Sequence, residues 1–128
     1  MWELLTTIRD RLRTIPELKT ADIGMETGIS SPDTPAARIV TEYSETSQNL
    51  YFDNGSLQIV LLMDLKNDLP TVYEDSISLE LKIREALKDV VSFTRIEYDR
   101  DGVTVFKCSI LRFTFSGIRN SRVECEYL

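Results

Sequence analysis

The chain has 128 residues, of which 42% are hydrophobic and 28% charged, a balance that suits one ordinary core and argues against disorder. A net charge of −6 and a pI near 4.7 argue against nucleic acid or an anionic membrane as the binding partner, because both require a basic face. The longest unbroken apolar run, 59–63, is far too short to cross a membrane. We therefore expect one domain over residues 1–128.

Leu4, Leu5, Ile8 and Leu12 are interleaved with Arg9, Asp10, Arg11 and Arg13, so the first residues do not resemble an export signal. The expected setting is intracellular, with Cys108 and Cys125 as reduced thiols. The spacing of Leu5, Ile8 and Leu12 predicts a helix over 2–13, ended by Pro16, which cannot donate to the preceding turn. A short strand is expected near 20–25. The stretch Gly28-Ile29-Ser30-Ser31-Pro32-Asp33-Thr34-Pro35 then reads as a loop.

Residues 37–43 resume as a strand carrying Ile39, Val40 and Tyr43. The polar stretch 44–55 reads as a long excursion that ends in the turn Asp53-Asn54-Gly55. Loops of that length in compact domains often carry function. Tyr51 and Phe52 lie inside it, either as interface anchors or as aromatics tucked back into the core.

Residues 56–65 form the strongest strand signal. Leu57, Ile59, Leu61 and Met63 alternate on one face, and Val60 and Leu62 make the other face apolar too. Such a strand belongs mid-sheet, covered on both sides by helices or by a partner. A helix is expected over 69–88, with Asp68 as its cap and Pro70 in its first turn. Val72, Leu79, Ile83 and Leu87 supply the buried stripe, Tyr73, Ile77 and Leu81 widen it, and Glu80 and Arg84 are spaced to pair in solvent.

The remainder is β. Strands over 93–100 and 103–115 flank the hairpin turn Asp101-Gly102, which pairs Tyr98 with Val105 and Ile96 with Lys107. Apolar parity changes between Ile110 and Leu111, which a bulge or a bend there would explain. Residues 119–128 are a final strand or an arm. The order α-β-β-β-α-β-β defines an α+β two-layer sandwich, two helices packed on a mostly antiparallel sheet.

Charge is unevenly placed along this order. Asp22, Glu26, Asp33, Glu42, Glu45, Asp53 and Asp64 face only Arg38 in the stretch 20–65, while Lys107, Arg112, Arg119 and Arg122 make a later stretch basic. A surface acidic at one end and basic at the other can self-associate, with Tyr51, Phe52, Arg119 and Arg122 as the candidate subunit-interface residues.

Candidate chemistry is sparse. The chain has no histidine, so the commonest general base and zinc ligand is missing, and the five glycines form no phosphate-binding loop. Glu97-Tyr98-Asp99-Arg100-Asp101-Gly102 resembles the opening of a calcium loop, but Cys108 stands where the bidentate acid belongs. We expect no catalytic residue, no cofactor and no metal.

The strings Ile8-Arg9-Asp10-Arg11-Leu12-Arg13-Thr14-Ile15-Pro16-Glu17-Leu18-Lys19-Thr20 and Thr34-Pro35-Ala36-Ala37-Arg38-Ile39-Val40 carry a resemblance that Leu57-Gln58-Ile59-Val60-Leu61, Val72-Tyr73-Glu74 and Lys82-Ile83-Arg84-Glu85-Ala86-Leu87 continue. In that order they resemble the tail-terminator and head–tail completion proteins of tailed phages and prophages (minor tail protein U-like). The resemblance implies a structural protein rather than an enzyme. It forms a homo-oligomeric ring, a hexamer in that family, which caps the tail tube and joins tail to head. Its implied partners are the tail tube protein and a head-completion or connector protein. DNA passes through without specific binding, which suits the acidic segment, and no membrane is involved. The implied location is the host cytoplasm during assembly and then the tail or neck of the virion. A small ligand-binding or regulatory α+β domain is the alternative the residues leave open.

The missing histidines and the interrupted calcium loop lead to a simple expectation. Excess EDTA should leave the melting temperature unchanged, as followed by circular dichroism, and a clear downward shift would reveal a structural metal.

Overall fold

A computed structural model of the chain describes residues 1–25, 28–46, 52–65, 68–98 and 106–119. The elements are α1 (Trp2–Leu12), β1 (Thr20–Ile23), a 3-10 turn (Ser31–Asp33), β2 (Ala36–Thr46), β3 (Phe52–Asp64), α2 (Leu69–Leu87), β4 (Ser92–Tyr98) and β5 (Phe106–Arg119). The five strands form one sheet in the order β1-β2-β3-β5-β4, parallel between β1 and β2 and antiparallel elsewhere. Two helices on a mostly antiparallel sheet is the α+β sandwich expected from the pattern.

The alternation of β3 decides which face the helices cover. Leu57, Ile59 and Leu61 are fully buried on the inner face, in one cluster with Ile8 and Leu12 of α1, Ile83 and Leu87 of α2, and Leu111 and Phe113 of β5. The opposite face holds a smaller cluster, Ala36, Val60 and Leu62, with Ile29 and Val40 packed against it. Arg38 lies on this outer side, almost fully buried. It donates from Nη1 to Thr20 Oγ1 at 3.1 Å and to the Ala37 carbonyl at 2.9 Å. The two helices are tied by Arg11, which donates to Asp89 Oδ1 at 3.1 Å, and Lys82 of α2 donates to Glu17.

Several expectations need correcting. The stretch 44–55 is not a long excursion, because β2 runs on to Thr46 and β3 begins at Phe52. Ser44 pairs with Gly55 and Glu45 with Asn54, so Asp53-Asn54-Gly55 is strand rather than turn. Its polar composition reflects exposure, since residues 41–46 of β2 lack cover. The β4–β5 register also differs. Ile96 pairs with Leu111 rather than Lys107, and Tyr98 with Ser109, four positions farther along β5 than the Asp101-Gly102 turn would give. Asp101, Gly102 and Val105 lie outside the described residues.

No bulge separates Ile110 from Leu111, where β5 pairs continuously with β3. The inward positions of β5 are Lys107, Ser109, Leu111, Phe113 and Phe115, all buried. The parity change in the sequence arises because two of those inward residues are polar. The irregularities fall instead between Thr41 and Tyr43, between Asp53 and Gly55, and between Phe93 and Arg95.

Within α2, Asp68 holds the N-cap position but makes no side-chain bond to the backbone, and accepts from Thr71 Oγ1 at 3.2 Å instead. Glu80 is buried and does not pair with Arg84, whose guanidinium lies 4.0 Å from the centre of the Phe93 ring. Tyr73, Ile77 and Leu81 do not widen the buried stripe, because each is more than half exposed.

Ile83 is fully buried between helix and sheet. Ile83→Ala should cost about 2–5 kcal/mol through lost burial and an unfilled cavity. A urea melt checks this, and a loss under about 0.5 kcal/mol would mean that this face is not core.

Candidate functional site

Three strands continue past the part of the sheet that the helices cover. Residues 43–46 of β2, 52–55 of β3 and 115–119 of β5 pair side by side, forming a three-stranded arm that is still rooted in the core through Phe115 and Ile118. The register shifts mark its base. Tyr43 pairs with Ser56, Gly55 with Phe115 and Phe93 with Phe113, so the irregularities line up at one level across the sheet. Bulges bend strands and sharpen their twist, which sets the arm off from the body.

Two glycines make this junction possible. A Cβ on Gly55 would stand 2.1 Å from the Tyr43 carbonyl oxygen and 2.8 Å from the Phe115 ring, so only a glycine fits beneath that ring. Gly117 has φ +67°, a conformation that side chains rarely adopt, and its N–H donates to Asn54 Oδ1 at 2.9 Å.

Two of the four candidate interface residues come together on the arm, since Phe52 and Arg119 are direct partners at its far end. Phe52 is partly exposed. Tyr51 and Arg122 lie outside the described residues. Tyr43 is an aromatic that the sequence pattern placed in a strand without marking it as surface, yet it is 54% exposed at the base of the arm. A cleft of about 470 Å³ opens there, lined by Tyr43, Gly55, Lys88, Asp89, Phe115 and Ser116 among others.

The acidic and basic stretches are partly neutralised within the chain. Asp22 accepts from Arg13 at 2.8 Å, and Glu42 pairs with Arg112, which also lies 3.2 Å from Glu97. Arg112 and Lys107 therefore contribute no open basic surface, contrary to the charge pattern.

Lys107 belongs to a buried polar network at the end of the inner face. Its Nζ donates to Ser76 Oγ at 3.0 Å and to Ser109 Oγ at 3.1 Å, and lies 3.8 Å from Glu80 Oε1. Ser109 donates to Glu80 Oε1 at 2.7 Å, and Tyr98 donates to Glu80 Oε2 at 3.3 Å. The ammonium also sits 5.0 Å from the Tyr73 ring centre and 4.7 Å from that of Tyr98. Burial holds the Lys107 ammonium below the ordinary lysine range, opposed by the negative charge of Glu80. Burial, and then the same carboxylate, push the Tyr98 phenol up.

A serine beside a lysine whose pKa is lowered resembles an activated nucleophile. However, Ser76 and Ser109 are both fully buried, so no substrate can reach either hydroxyl. What the network does is join α2 to β4 and β5. Nothing local in the sequence announces it, because its members come from three separate elements. Among the described residues, no group of three or more His, Cys, Asp or Glu is placed to hold a metal. None of the helices there is long and apolar enough to cross a membrane.

No family model matches this chain, and no curated protein matches it.

Glu80→Ala would strand the buried Lys107 charge and should cost about 3–5 kcal/mol. Replacing both partners by methionine should recover most of that loss, because Ser76 and Ser109 lie 3.4 Å apart and can bond each other. Chemical denaturation of the three proteins checks this. A single variant that loses under about 1 kcal/mol would mean the pair is not what fixes α2 on the sheet.

Proposed function

We propose that this chain is a structural subunit of phage assembly, forming a ring that caps the tail tube and joins tail to head. The observation that carries this reading is the arm, which brings Phe52 and the exposed Tyr43 out beyond the helical layer, where neither serves the core. Aromatic side chains held on a rigid strand pair are good anchors, offering large contact area for little lost conformational freedom.

In this reading the arm contacts a neighbouring subunit or the tail tube protein, and the opposite rim of the ring receives a head-completion or connector protein. A net charge of −6 suits a channel through which DNA slides, since like charge keeps phosphates from sticking. The contact between subunits is heterologous, because only head-to-tail contacts close into rings of more than two copies. The protein acts by shape and position, first in the host cytoplasm and then in the virion.

Complementation of a phage or prophage lacking the gene tests this reading. Tyr43→Ala with Phe52→Ala should leave the circular dichroism spectrum intact, yet yield unjoined heads and tails or overlong tubes in lysates viewed by electron microscopy. Normal virions from the double variant would remove the arm from the interface. Normal virions from the gene deletion would overturn the assignment.

A further inference from the structure

The two lateral ends of the molecule differ in a complementary way. At the β4 end, the helical layer stops short of the sheet edge. One flank of α2 carries Leu69, Tyr73, Ile77 and Leu81 at four-residue steps, and their exposures are 55%, 54%, 52% and 56%. Steps of four place these side chains in one row along a helix. The row looks toward β4. Arg84, on the same flank, stacks on Phe93, and the rings of Tyr73 and Tyr98 both face the Lys107 ammonium. Between helix and strand runs a groove of about 320 Å³, lined by Leu81, Arg84, Glu85, Lys88, Phe93 and Phe113 among others, apolar at its floor and charged along the helix side. Tyr98, 51% exposed, lies at the other end of β4, next to Tyr73.

At the β1 end stands Trp2, 64% exposed. Its direction follows from helix geometry. Arg11 reaches α2, where it bonds the Ala86 carbonyl and Asp89. Arg13, which keeps helical backbone angles, reaches the other way, to the Ala21 carbonyl and to Asp22 of β1. Trp2 and Arg13 are eleven residues apart, almost a whole number of turns, so Trp2 shares the flank that faces β1 and turns away from α2.

We propose that the α2–β4 groove is a docking site for a second copy of this chain, which inserts Trp2 from its α1. A surface with the knob at one end and the hole at the other repeats head to tail, and does not stop at two copies. The sheet supports the same arrangement. β1 and β4 are its two edges, and the pairings make them run in opposite directions, so the β1 edge of one copy meets the β4 edge of the next antiparallel. Antiparallel is the more stable sense of pairing. β1 has only four residues and β4 is irregular between Phe93 and Arg95, features that blunt an edge. The tryptophan and its groove therefore carry most of the affinity, and the strand edges set the angle. This names the subunit contact of the ring proposed above and rests on that reading for its purpose, although the contact itself can be tested without any phage.

The test uses two full-length variants, each spoiled at one end. Trp2→Ala lacks the knob and keeps the groove, while Leu81→Glu keeps the knob and adds an acidic charge to the groove wall. Sedimentation velocity over a concentration series should show wild-type oligomers larger than dimers. Each variant alone should be monomeric, with association weakened about tenfold or more. An equimolar mixture should give dimers and nothing larger, because one good knob meets one good groove. That rescue also demonstrates that both variants are folded. A wild type that stays monomeric throughout, or a mixture that fails to form dimers, would overturn the contact. Association that survives in Trp2→Ala and is lost only in Leu81→Glu would point to helix-to-helix pairing instead, and would overturn it equally. In each of those cases, an unjoined-tail phenotype of the gene deletion would leave the assembly reading standing.

Discussion

Strand β3 is apolar on both faces, and that single constraint organises the molecule. Leu57, Ile59 and Leu61 need cover on one side, Val60 and Leu62 on the other, and one layer of helices can serve only one side. α1 and α2 close the inner face. The outer face is closed locally by the segment carrying Ile29, which leads through the 3-10 turn into β2. Arg38 sits under that corner, its charge offset by Asp22 at 3.7 Å and its Nη1 bonded to Thr20 and the Ala37 carbonyl, while its Nε is buried without a partner among the described residues. Farther along, the outer face becomes polar, with Arg112 bridging Glu42 and Glu97 across the sheet. The sheet therefore has a core side and a mostly solvated side.

How α2 lies on this sheet is fixed by two different means. Val72, Leu79, Ile83 and Leu87 pack into the aliphatic core along its length. Midway along it, Ser76 and Glu80 meet Lys107 and Ser109 in a closed set of hydrogen bonds. Apolar side chains can slide past one another with little loss, whereas a donor and acceptor set in low dielectric accepts one alignment only. The network thus specifies position more than it adds stability, consistent with what buried ion pairs generally contribute.

Much of the architecture could be read from residue patterns, for reasons that also explain the misreadings. α2 was legible because Pro70 and the spacing of Val72, Leu79, Ile83 and Leu87 agree with each other. β3 was legible because a run apolar on both faces has few other homes. The register of β4 on β5 was not, since Lys107 and Ser109 point inward and the partner that makes this tolerable, Glu80, belongs to another element. The strands on either side of Glu45 and Asn54 looked like a loop because their ladder is made by backbone groups, which leave no mark in a polar, exposed sequence. Periodicity also found the apolar positions Tyr73, Ile77 and Leu81 correctly but could not say that none of the described residues covers them. Of the interface candidates, Phe52 was visible as an aromatic among polar neighbours, whereas Tyr43 was hidden by its fit to a strand pattern.

The line of bulges at the base of the arm separates two regimes of tolerance. Inside it, every inward position of β3 and β5 is committed to the core, so a one-residue change in strand length would turn the apolar set outward. Outside it, residues 43–46, 52–55 and 115–119 bond chiefly to one another. An insertion or deletion of matched residue pairs distal to Phe115 and Ile118 would alter chiefly how far the arm extends, leaving Gly55 packed under the Phe115 ring and Leu57 in register. The reach of the arm is therefore a length that can be tuned during evolution independently of the body, much as a spacer is exchanged without refitting what it connects.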